Sequence, residues 1–208
     1  MHTLEFDNGI VIDYKSEDDG GGSEQYTDFL DHFKSTGKKY KHCLEWCSGL
    51  GAIGYSLLDA GICETVTFMD IHKPSIENAL RNAEKNNVSD KVQAYHLDAI
   101  QKLPKHLMFD LVVGNPPHSQ GNPENFEGDW YRKIVDNNWD THREFFVNIK
   151  NYLDPNSDII LSEIENHSVS KVLITMAESF GLKFANFAPA PKLAKTGNAT
   201  GLLHIYQN

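Results

Sequence analysis

The sequence predicts an α/β fold with a doubly wound, mainly parallel sheet and helices on both faces. From about residue 24 onward, helical and extended segments alternate, and a glycine-rich turn follows the first extended segment. This alternation is typical of parallel sheets that are covered on both faces. With 208 residues, 40% of them hydrophobic, the chain is long enough for one sizeable core and short for two. We therefore predict one domain at 24–208, preceded at 1–23 by a small hairpin and a flexible glycine-rich connection.

The individual elements follow from the spacing of hydrophobic residues. Pro74 suits the first turn of a helix in which Ile76, Leu80 and Ala83 recur at helical spacing. Asn8-Gly9, between two short apolar runs, predicts an N-terminal hairpin with a type I′ turn. The other predicted helices are 26–33, a segment through 55–58, 145–152 and 169–180. The predicted strands are 43–47, 65–69, 92–97, 109–113 and 158–161, with 184–187 and 202–206 as a closing antiparallel pair.

Charge and composition argue against several classes of function. The net charge of 19 minus 29, or −10, disfavours non-specific attraction to phosphate backbones. Cys43, Cys47 and Cys63 form no CxxC pair, and the ten histidines are scattered, so we expect buried free thiols and no metal. The first residues do not resemble a signal peptide and no stretch approaches a membrane span. We expect a soluble, cytoplasmic protein with no membrane partner; its oligomeric state stays open.

A glycine-rich loop is the first motif that indicates chemistry. Gly49, Gly51 and Gly54 follow a predicted strand and open a predicted helix, which is the spacing and context of a dinucleotide fingerprint. Residues without Cβ atoms let a ribose lie against the turn. Asp70, at the end of the second strand, is placed to accept hydrogen bonds from ribose hydroxyls. A nicotinamide cofactor and S-adenosylmethionine both satisfy this pattern.

Two acids favour the second of these cofactors. Glu45 lies just before the loop, where it suits the cationic amino end of a methionine moiety and would repel a pyrophosphate. Asp98, at the end of the third strand, is placed to accept from an adenine amino group. The alternative interpretation of both acids is a capping or solvated carboxylate.

The most specific motif is Asn115-Pro116-Pro117-His118, where the fourth strand leaves the sheet. Two prolines fix φ and remove N–H donors, so the turn presents carbonyl oxygens. The side-chain oxygen of Asn115 and the backbone oxygen of Pro116 can each hold one hydrogen of an NH2 group. They would direct the nitrogen lone pair toward an electrophilic methyl group and stabilise the positive charge that develops on nitrogen.

These motifs together resemble the class I S-adenosylmethionine methyltransferases, in the branch that carries an Asn-Pro-Pro-aromatic motif. Segments 44–54, 69–83, 97–99 and 115–118 are similar to the four motifs of that family, in order. The resemblance covers 40–165 well and implies a Rossmann-like, seven-stranded sheet with one antiparallel strand near the end. It implies a catalytic site and a cofactor site. The catalytic residues are Asn115, Pro116, Pro117 and His118; the cofactor-binding residues are Glu45, Cys47, Ser48, Gly49, Gly51, Asp70, Ile71, Asp98, Ala99 and Asn115.

Within this branch, 128–135 and 160–164 resemble segments of the protein glutamine N5-methyltransferases that modify release factors. This chain has a short hairpin where those enzymes have a helical docking domain. His118 replaces their Tyr or Phe, and the charge of an imidazole varies with pH. The aromatic-rich segment 118–142 is either a mobile lid over the acceptor or a long loop anchored to the core.

We therefore expect an S-adenosylmethionine-dependent N-methyltransferase. Candidate acceptors are a protein glutamine, a nucleobase amino group or a small molecule. The alternatives are an NAD(P)-dependent oxidoreductase that uses the same glycine loop, and a catalytically silent binding protein of the same fold.

Overall fold

The computed structural model describes residues 1–19, 22–117, 119–121, 135–164, 167–190 and 200–207. The strands are β1 His2–Glu5, β2 Val11–Tyr14, β3 Tyr40–Trp46, β4 Cys63–Asp70, β5 Val92–His96, β6 Phe109–Gly114, β7 Leu153–Ile164, β8 Lys183–Pro189 and β9 Thr200–Tyr206. The helices are α1 Gly22–Thr36, α2 Ala52–Asp59, α3 Lys73–Lys85, α4 Asp140–Asn148 and α5 His167–Ser179.

The main sheet has seven strands in the order β5-β4-β3-β6-β7-β9-β8. The pairs among β5, β4, β3, β6 and β7 are parallel, and β9 runs antiparallel to both β7 and β8. One hydrophobic cluster unites α1, α2 and α3 with the hairpin on one face, and a second unites α4 and α5 on the other. The predicted doubly wound sheet with one antiparallel strand near the end is confirmed. The carboxyl ends of its five parallel strands share one edge.

The N-terminal hairpin is present, but its turn differs from the predicted type I′. The Gly9 N–H donates to the Phe6 carbonyl at 3.2 Å and the Phe6 N–H donates to the Ile10 carbonyl at 2.9 Å. Gly9 has a φ of 111°, whereas Asn8 is not among the residues with positive φ. A type I′ turn needs positive φ at both central residues, so the loop here is a three-residue one that ends in a bulged glycine. The Asn-Gly pair predicted the hairpin correctly and the turn type wrongly.

The hairpin is fixed to α3 by asparagine side chains. Asn86 receives the Val11 N–H at 2.8 Å and returns its own amide to the Val11 carbonyl at 2.8 Å. Asn82 forms the same reciprocal pair with Asp13, at 3.0 and 3.1 Å. Two amide side chains four residues apart, Asn82 on α3 and Asn86 at its C-cap, thus replace the missing neighbour of an edge strand. This anchoring holds the segment that leads to Asp18 beside the main sheet.

Among the described residues, no helix combines the length and the apolar content that a bilayer crossing requires.

Candidate active site

The carboxyl ends of the parallel strands surround a cavity of about 740 Å³. Its walls include Glu45 at the end of β3, Asp70 at the end of β4, Asp98 after β5 and Asn115 after β6. This edge is where open α/β sheets bind ligands, and pockets for small molecules measure roughly 300–1,000 Å³. The topology therefore brings together residues that are up to 70 positions apart (115 minus 45) in the sequence.

The glycine loop turns sharply between β3 and α2. Cys47, Gly49 and Gly51 all have left-handed backbones, with φ of 54°, 50° and 80°. Gly49 lines the cavity, whereas a Cβ on Gly51 would lie 3.0 Å from the Phe68 ring, and Gly51 is not part of the cavity wall. A Cβ on Gly54 would lie 2.7 Å from the same ring. The first glycine thus faces the ligand space, and the others allow α2 to pack closely on the sheet.

Ser48 lies inside this loop and also lines the cavity. Its backbone N–H donates to the Met69 carbonyl at 3.1 Å. Its hydroxyl oxygen is buried and has no hydrogen-bond partner within the described part of the chain. Because buried polar atoms are nearly always hydrogen-bonded, this hydroxyl is a group that a ligand would satisfy.

Glu45 is buried and performs two tasks at once. One carboxylate oxygen accepts the Gly54 N–H at 2.6 Å, which caps the start of α2. Burial raises the pKa of Glu45 to about 8, although the backbone N–H groups of Gly54 and Ile53 act in the opposite direction. A cationic ligand group in the cavity would favour the ionised form. The capping interpretation and the ligand-facing one are therefore compatible.

Asp70 closes the glycine loop from the neighbouring strand. Its carboxylate accepts the Gly49 N–H at 2.7 Å and the His72 N–H at 2.7 Å. The next residue, Ile71, lines the cavity although 43% of this large apolar side chain is exposed. An acid beside an exposed apolar side chain suits a nucleoside, whose ribose is polar and whose base has an apolar face.

Asp98 lies on the rim of the cavity and is exposed. Lys102 donates to its carboxylate at 2.5 Å, and this hydrogen bond lowers the pKa of Asp98. Leu97 lines the cavity beside it, whereas Ala99, which the sequence also predicts as a contact, does not.

The Asn-Pro-Pro turn leaves β6 on the opposite side of the cavity from Asp98. Asn115 and Pro117 line the wall, whereas Pro116 is buried and is not among the lining residues. A Cβ on Gly114 would lie 2.6 Å from the Trp46 carbonyl oxygen, so glycine is required where β6 passes β3. His118 lies outside the described residues, as do most of the aromatic residues of the segment 118–142.

The cavity wall is acidic. Six of its lining residues carry carboxylates, and none of the lining residues in the described part of the chain is Lys or Arg. Such a wall attracts a ligand with net positive charge and repels phosphates. The six are Asp18, Glu45, Asp70, Asp98, Asp140 and Glu144.

Three of these acids are absent from the residues predicted from sequence. Asp18 belongs to the segment predicted as a connection, yet it is only 6% exposed and lies 3.8 Å from the His72 ring. Asp140 and Glu144 come from α4, and burial raises the pKa of Glu144. No local motif marks these positions, because only the packing of α4 and of the N-terminal segment brings them to the strand ends.

A second buried polar group lies next to the cavity, and the sequence analysis did not single it out. His142 is fully buried, and its ring nitrogens contact Asp136 at 2.6 Å and Glu163 at 2.9 Å. Burial alone would lower the pKa of His142, but the charge of Glu163 and hydrogen bonds with both carboxylates raise it to about 9. Glu163 interrupts an apolar strand end, as Glu45 does, and this was the available signal. We call these three residues the His142 cluster.

The family model of the methyltransferase small domain matches residues 27–181. The chain belongs to this family. The prediction of a class I methyltransferase is confirmed, and the family implies S-adenosylmethionine as the cofactor. The cavity fits that molecule, because its acidic wall suits a ligand with two cationic groups and one carboxylate.

Curated relatives are also methyltransferases, and the matches cover only part of each chain. A bifunctional methyltransferase of Rickettsia typhi is 32% identical over 136 residues, which cover 59% of this chain and 25% of that protein. A release factor glutamine methyltransferase of Leptospira interrogans is 30% identical over 115 residues, 54% of this chain and 38% of that protein. The chain thus spans a quarter to two-fifths of the length of these relatives.

Solved structures share the fold at low identity. A methyltransferase from Pyrococcus furiosus has a TM-score of 0.69 at 16% identity, covering 95% of this chain and 88% of that one. Another protein described as a methyltransferase, solved in complex with SAH (S-adenosylhomocysteine), has a TM-score of 0.65 at 18% identity, covering 88% and 49%.

Proposed function

We propose that this chain transfers a methyl group from S-adenosylmethionine to an amide or amino nitrogen, with a protein glutamine amide as the favoured acceptor. The observation that carries the proposal is the position of the Asn-Pro-Pro turn. Asn115 and Pro117 share one cavity wall with Glu45, Gly49 and Asp70. An acceptor on the turn and a donor in the glycine loop would therefore meet in the same space.

The proposed donor site is assembled from three strand ends. Asp70 would accept from the ribose hydroxyls, and Ile71 would cover one face of the base. Glu45 and the Ser48 hydroxyl lie where the methionine portion would reach the glycine loop. Asp98, on the rim, is placed to accept from the adenine amino group, in exchange for or in addition to its contact with Lys102.

The proposed acceptor site depends on oxygen atoms of the turn. Bound S-adenosylmethionine would supply a methyl group on positively charged sulfur. A bond forms between the acceptor nitrogen and the methyl carbon while the electron pair of the carbon–sulfur bond goes to sulfur, which becomes a neutral thioether. The Asn115 side-chain oxygen and the Pro116 carbonyl would each accept one N–H of the acceptor and align its lone pair. Their dipoles stabilise the positive charge that arises on nitrogen, whose extra proton then passes to water.

The acidic wall separates this proposal from its competitors. An NAD(P) oxidoreductase must hold a pyrophosphate, which the carboxylates of this cavity would repel. A nucleic-acid acceptor would bring phosphates to the same rim. A neutral amide meets no such penalty, and a glutamine methyltransferase is among the relatives. These arguments favour a peptide acceptor over a nucleobase.

Calorimetry tests the donor. We expect S-adenosylmethionine and S-adenosylhomocysteine to bind and NAD to give no heat. Asp70→Ala should weaken S-adenosylmethionine by roughly tenfold or more, because it removes a charged acceptor from the ribose. Asp90→Ala, at an exposed loop between α3 and β5, is the matched control. Binding of NAD alone would refute the proposal, and an unchanged affinity of Asp70→Ala would refute the ribose assignment.

Radiolabelled methyl transfer tests the acceptor. The protein is incubated with labelled S-adenosylmethionine and with separated protein, RNA, DNA and metabolite fractions of the source cell. We expect label in the protein fraction, and amino-acid analysis should recover it as N-methylated glutamine. Label confined to RNA or DNA would instead assign a nucleobase acceptor.

A further inference from the structure

The His142 cluster carries one negative charge wherever its shared protons lie. Both ring nitrogens of His142 face carboxylates, which accept but do not donate when ionised. Two charged carboxylates around an imidazolium give a net charge of −1, and so does a neutral imidazole beside one protonated carboxyl. A charge of this kind in a fully buried position is costly unless something compensates it.

One oxygen of the cluster has no compensation from the described residues. Asp136 also accepts the backbone N–H groups of Thr141 and His142, at 2.9 and 3.1 Å, at the start of α4. Glu163 Oε1 contacts His142, but Glu163 Oε2 is buried and has no hydrogen-bond partner among the described residues. The adjacent Ser162 hydroxyl is also buried and has no partner in the part of the chain that the structure describes. The uncompensated charge is therefore concentrated at the end of β7.

The cluster lies one aromatic ring behind the cavity wall. Trp46 lines the cavity, and its ring meets the His142 ring edge to face, with centroids 5.5 Å apart. Burial raises the pKa of the Cys47 thiol, and the charges of Asp70, Asp136, Glu163 and Glu144 raise it further. Because Cys47 also lines the cavity, the electrostatic field of the cluster extends to the ligand space.

The order of the strands shows where the cluster lies relative to the proposed donor and acceptor sites. The residues of the proposed donor site end β3 and β4 or follow β5, the Asn-Pro-Pro turn follows β6, and Glu163 lies near the end of β7. Gly114 pairs with Leu161, so the turn leaves β6 beside the strand end that carries Glu163. Under the proposed function, positive charge that passes from donor sulfur to acceptor nitrogen would therefore move toward the side of the sheet where β7 carries Glu163.

We propose that Asp136, His142 and Glu163 form an electrostatic positioning cluster that stabilises positive charge at the point of methyl transfer, acting across Trp46. This inference rests on the proposed function, because it requires a cationic donor in the cavity. None of the three residues lines the cavity; they shape its electrostatic potential and hold the cavity residues Val135, before α4, and Thr141, in the first turn of α4, against β7.

Three ligands that differ in charge at one atom test the proposal by calorimetry. S-adenosylmethionine has a sulfonium, sinefungin has an amino-bearing carbon in its place, and S-adenosylhomocysteine has a neutral sulfur. Glu163→Gln keeps the shape and the contact with His142 but neutralises the cluster at about pH 6, where an imidazole beside one carboxylate keeps its proton. We expect the affinities of the two cations, relative to S-adenosylhomocysteine, to fall roughly three- to tenfold.

The controls separate charge from structure. Asp158→Asn neutralises another buried acid of β7 that is paired with a histidine, and it should leave the ratio of affinities unchanged. Asp136→Asn also removes one negative charge from the cluster, but from the other carboxylate. It serves as the second variant if Glu163→Gln does not fold. Circular dichroism verifies folding. Equal weakening of all three ligands, or an unchanged ratio in the folded variants, would overturn the proposal. Failure of the wild type to bind any of the three would refute the proposed function instead.

Discussion

β7 carries two buried acids, one where its regular pairing with β6 begins and one near its carboxyl end, and the two acids have opposite surroundings. Asp158, at the amino edge of the sheet, accepts from Tyr40 at 2.6 Å, Lys38 at 2.8 Å and His204 at 2.7 Å. Glu163, at the carboxyl edge, contacts one histidine and keeps one oxygen without a partner in the described part of the chain. We call Asp158 and its three donors the Asp158 cluster.

The Asp158 cluster is neutralised and stabilises the fold, whereas the His142 cluster retains a negative charge. Lys38 neutralises Asp158 and leads to solvent, with 55% of its side chain exposed. Within the described ranges, no Lys or Arg pairs with the His142 cluster, which keeps its negative charge next to the cavity. A folded protein tolerates uncompensated buried charge where that charge acts on a ligand, and this is why perturbed groups concentrate at functional sites. The same strand therefore serves stability at one edge and ligand electrostatics at the other.

The largest effect is expected at the carboxyl edge, on turnover. Asn115→Ala should lower methyl transfer by about 100-fold or more, because it removes an acceptor that aligns the nucleophile in the transition state. The affinity for S-adenosylmethionine should stay within about twofold. Labelled-methyl transfer and calorimetry measure the two quantities. Asn186→Ala, on exposed β8, is the control, and full turnover in Asn115→Ala would contradict the mechanism.

The next effect is alkaline destabilisation through His142. Its folded pKa of about 9 lies above the unfolded value, so its contribution is complete below about pH 6.5 and is lost as pH rises through 9. Among the described residues, Asp136 and Glu163 are the charged partners of the ring, and Trp46, Trp139 and Phe146 are its aromatic neighbours. Urea unfolding should show a loss on the order of 2–3 kcal/mol over this range.

In Glu163→Gln, the free energy of unfolding should fall less steeply at alkaline pH, which is the alkaline limb of the stability profile. The reason is that this change removes the charge that raises the pKa of His142 most. Asp158→Asn should leave the limb as it is in the wild type. Identical alkaline limbs in wild type and Glu163→Gln would show that His142 does not carry the proton assigned to it.

A smaller effect is expected at the amino edge, on stability and at the opposite end of the pH scale. Burial alone would raise the pKa of Asp158, but hydrogen bonds from His204, Lys38 and Tyr40 outweigh it and hold the pKa below its usual range. Its contribution is present above about pH 4 and is lost as pH falls below that value. Asp158→Asn should cost about 2 kcal/mol near neutral pH and make the acid limb shallower. If the stability of Asp158→Asn fell at acid pH as steeply as that of the wild type, this role of Asp158 would be excluded.

The smallest effect concerns one donor of the Asp158 cluster. Tyr40→Phe removes the hydroxyl that contacts Asp158 while keeping the ring that packs on Phe33 with centroids 5.7 Å apart. The loss should be about 1 kcal/mol, because Lys38 and His204 remain in contact with Asp158. Urea unfolding measures it, and transfer rates should not change. A loss as large as that of Asp158→Asn would mean that the three donors act as one unit.

The sequence predicted the sheet because its strands and helices have clear periodicity. Every predicted strand appears: β5 is one residue shorter than predicted, and the others are usually one to three residues longer than the apolar run that marked them. β7 is the exception: its first residues include Pro155 and Asn156, which read as a turn, and the pairing with β6 shifts between Phe109 and Leu111. The sequence signal began only at Asp158, where pairing becomes regular.

The candidate site was predictable where a motif lies at a strand end. Glu45, Asp70 and Asn115 line the cavity, because a residue that ends a parallel strand must reach the same edge as its neighbours. Asp18 and Glu144 could not be predicted this way. Their places depend on how the hairpin docks on α3 and how α4 packs on the sheet, which involves contacts that local sequence does not encode.

By itself, the sequence determined the order of elements, the sharp glycine turn and the proline-stiffened turn, because backbone propensity and side-chain period act over a few residues. Tertiary structure alone decided that the cavity wall is negatively charged and where the buried negative charge lies. The reason is that an electrostatic field is a sum over groups brought close in space: Asp136, His142 and Glu163 come from a loop, a helix and a strand, and only packing sets the distances at which their charges add.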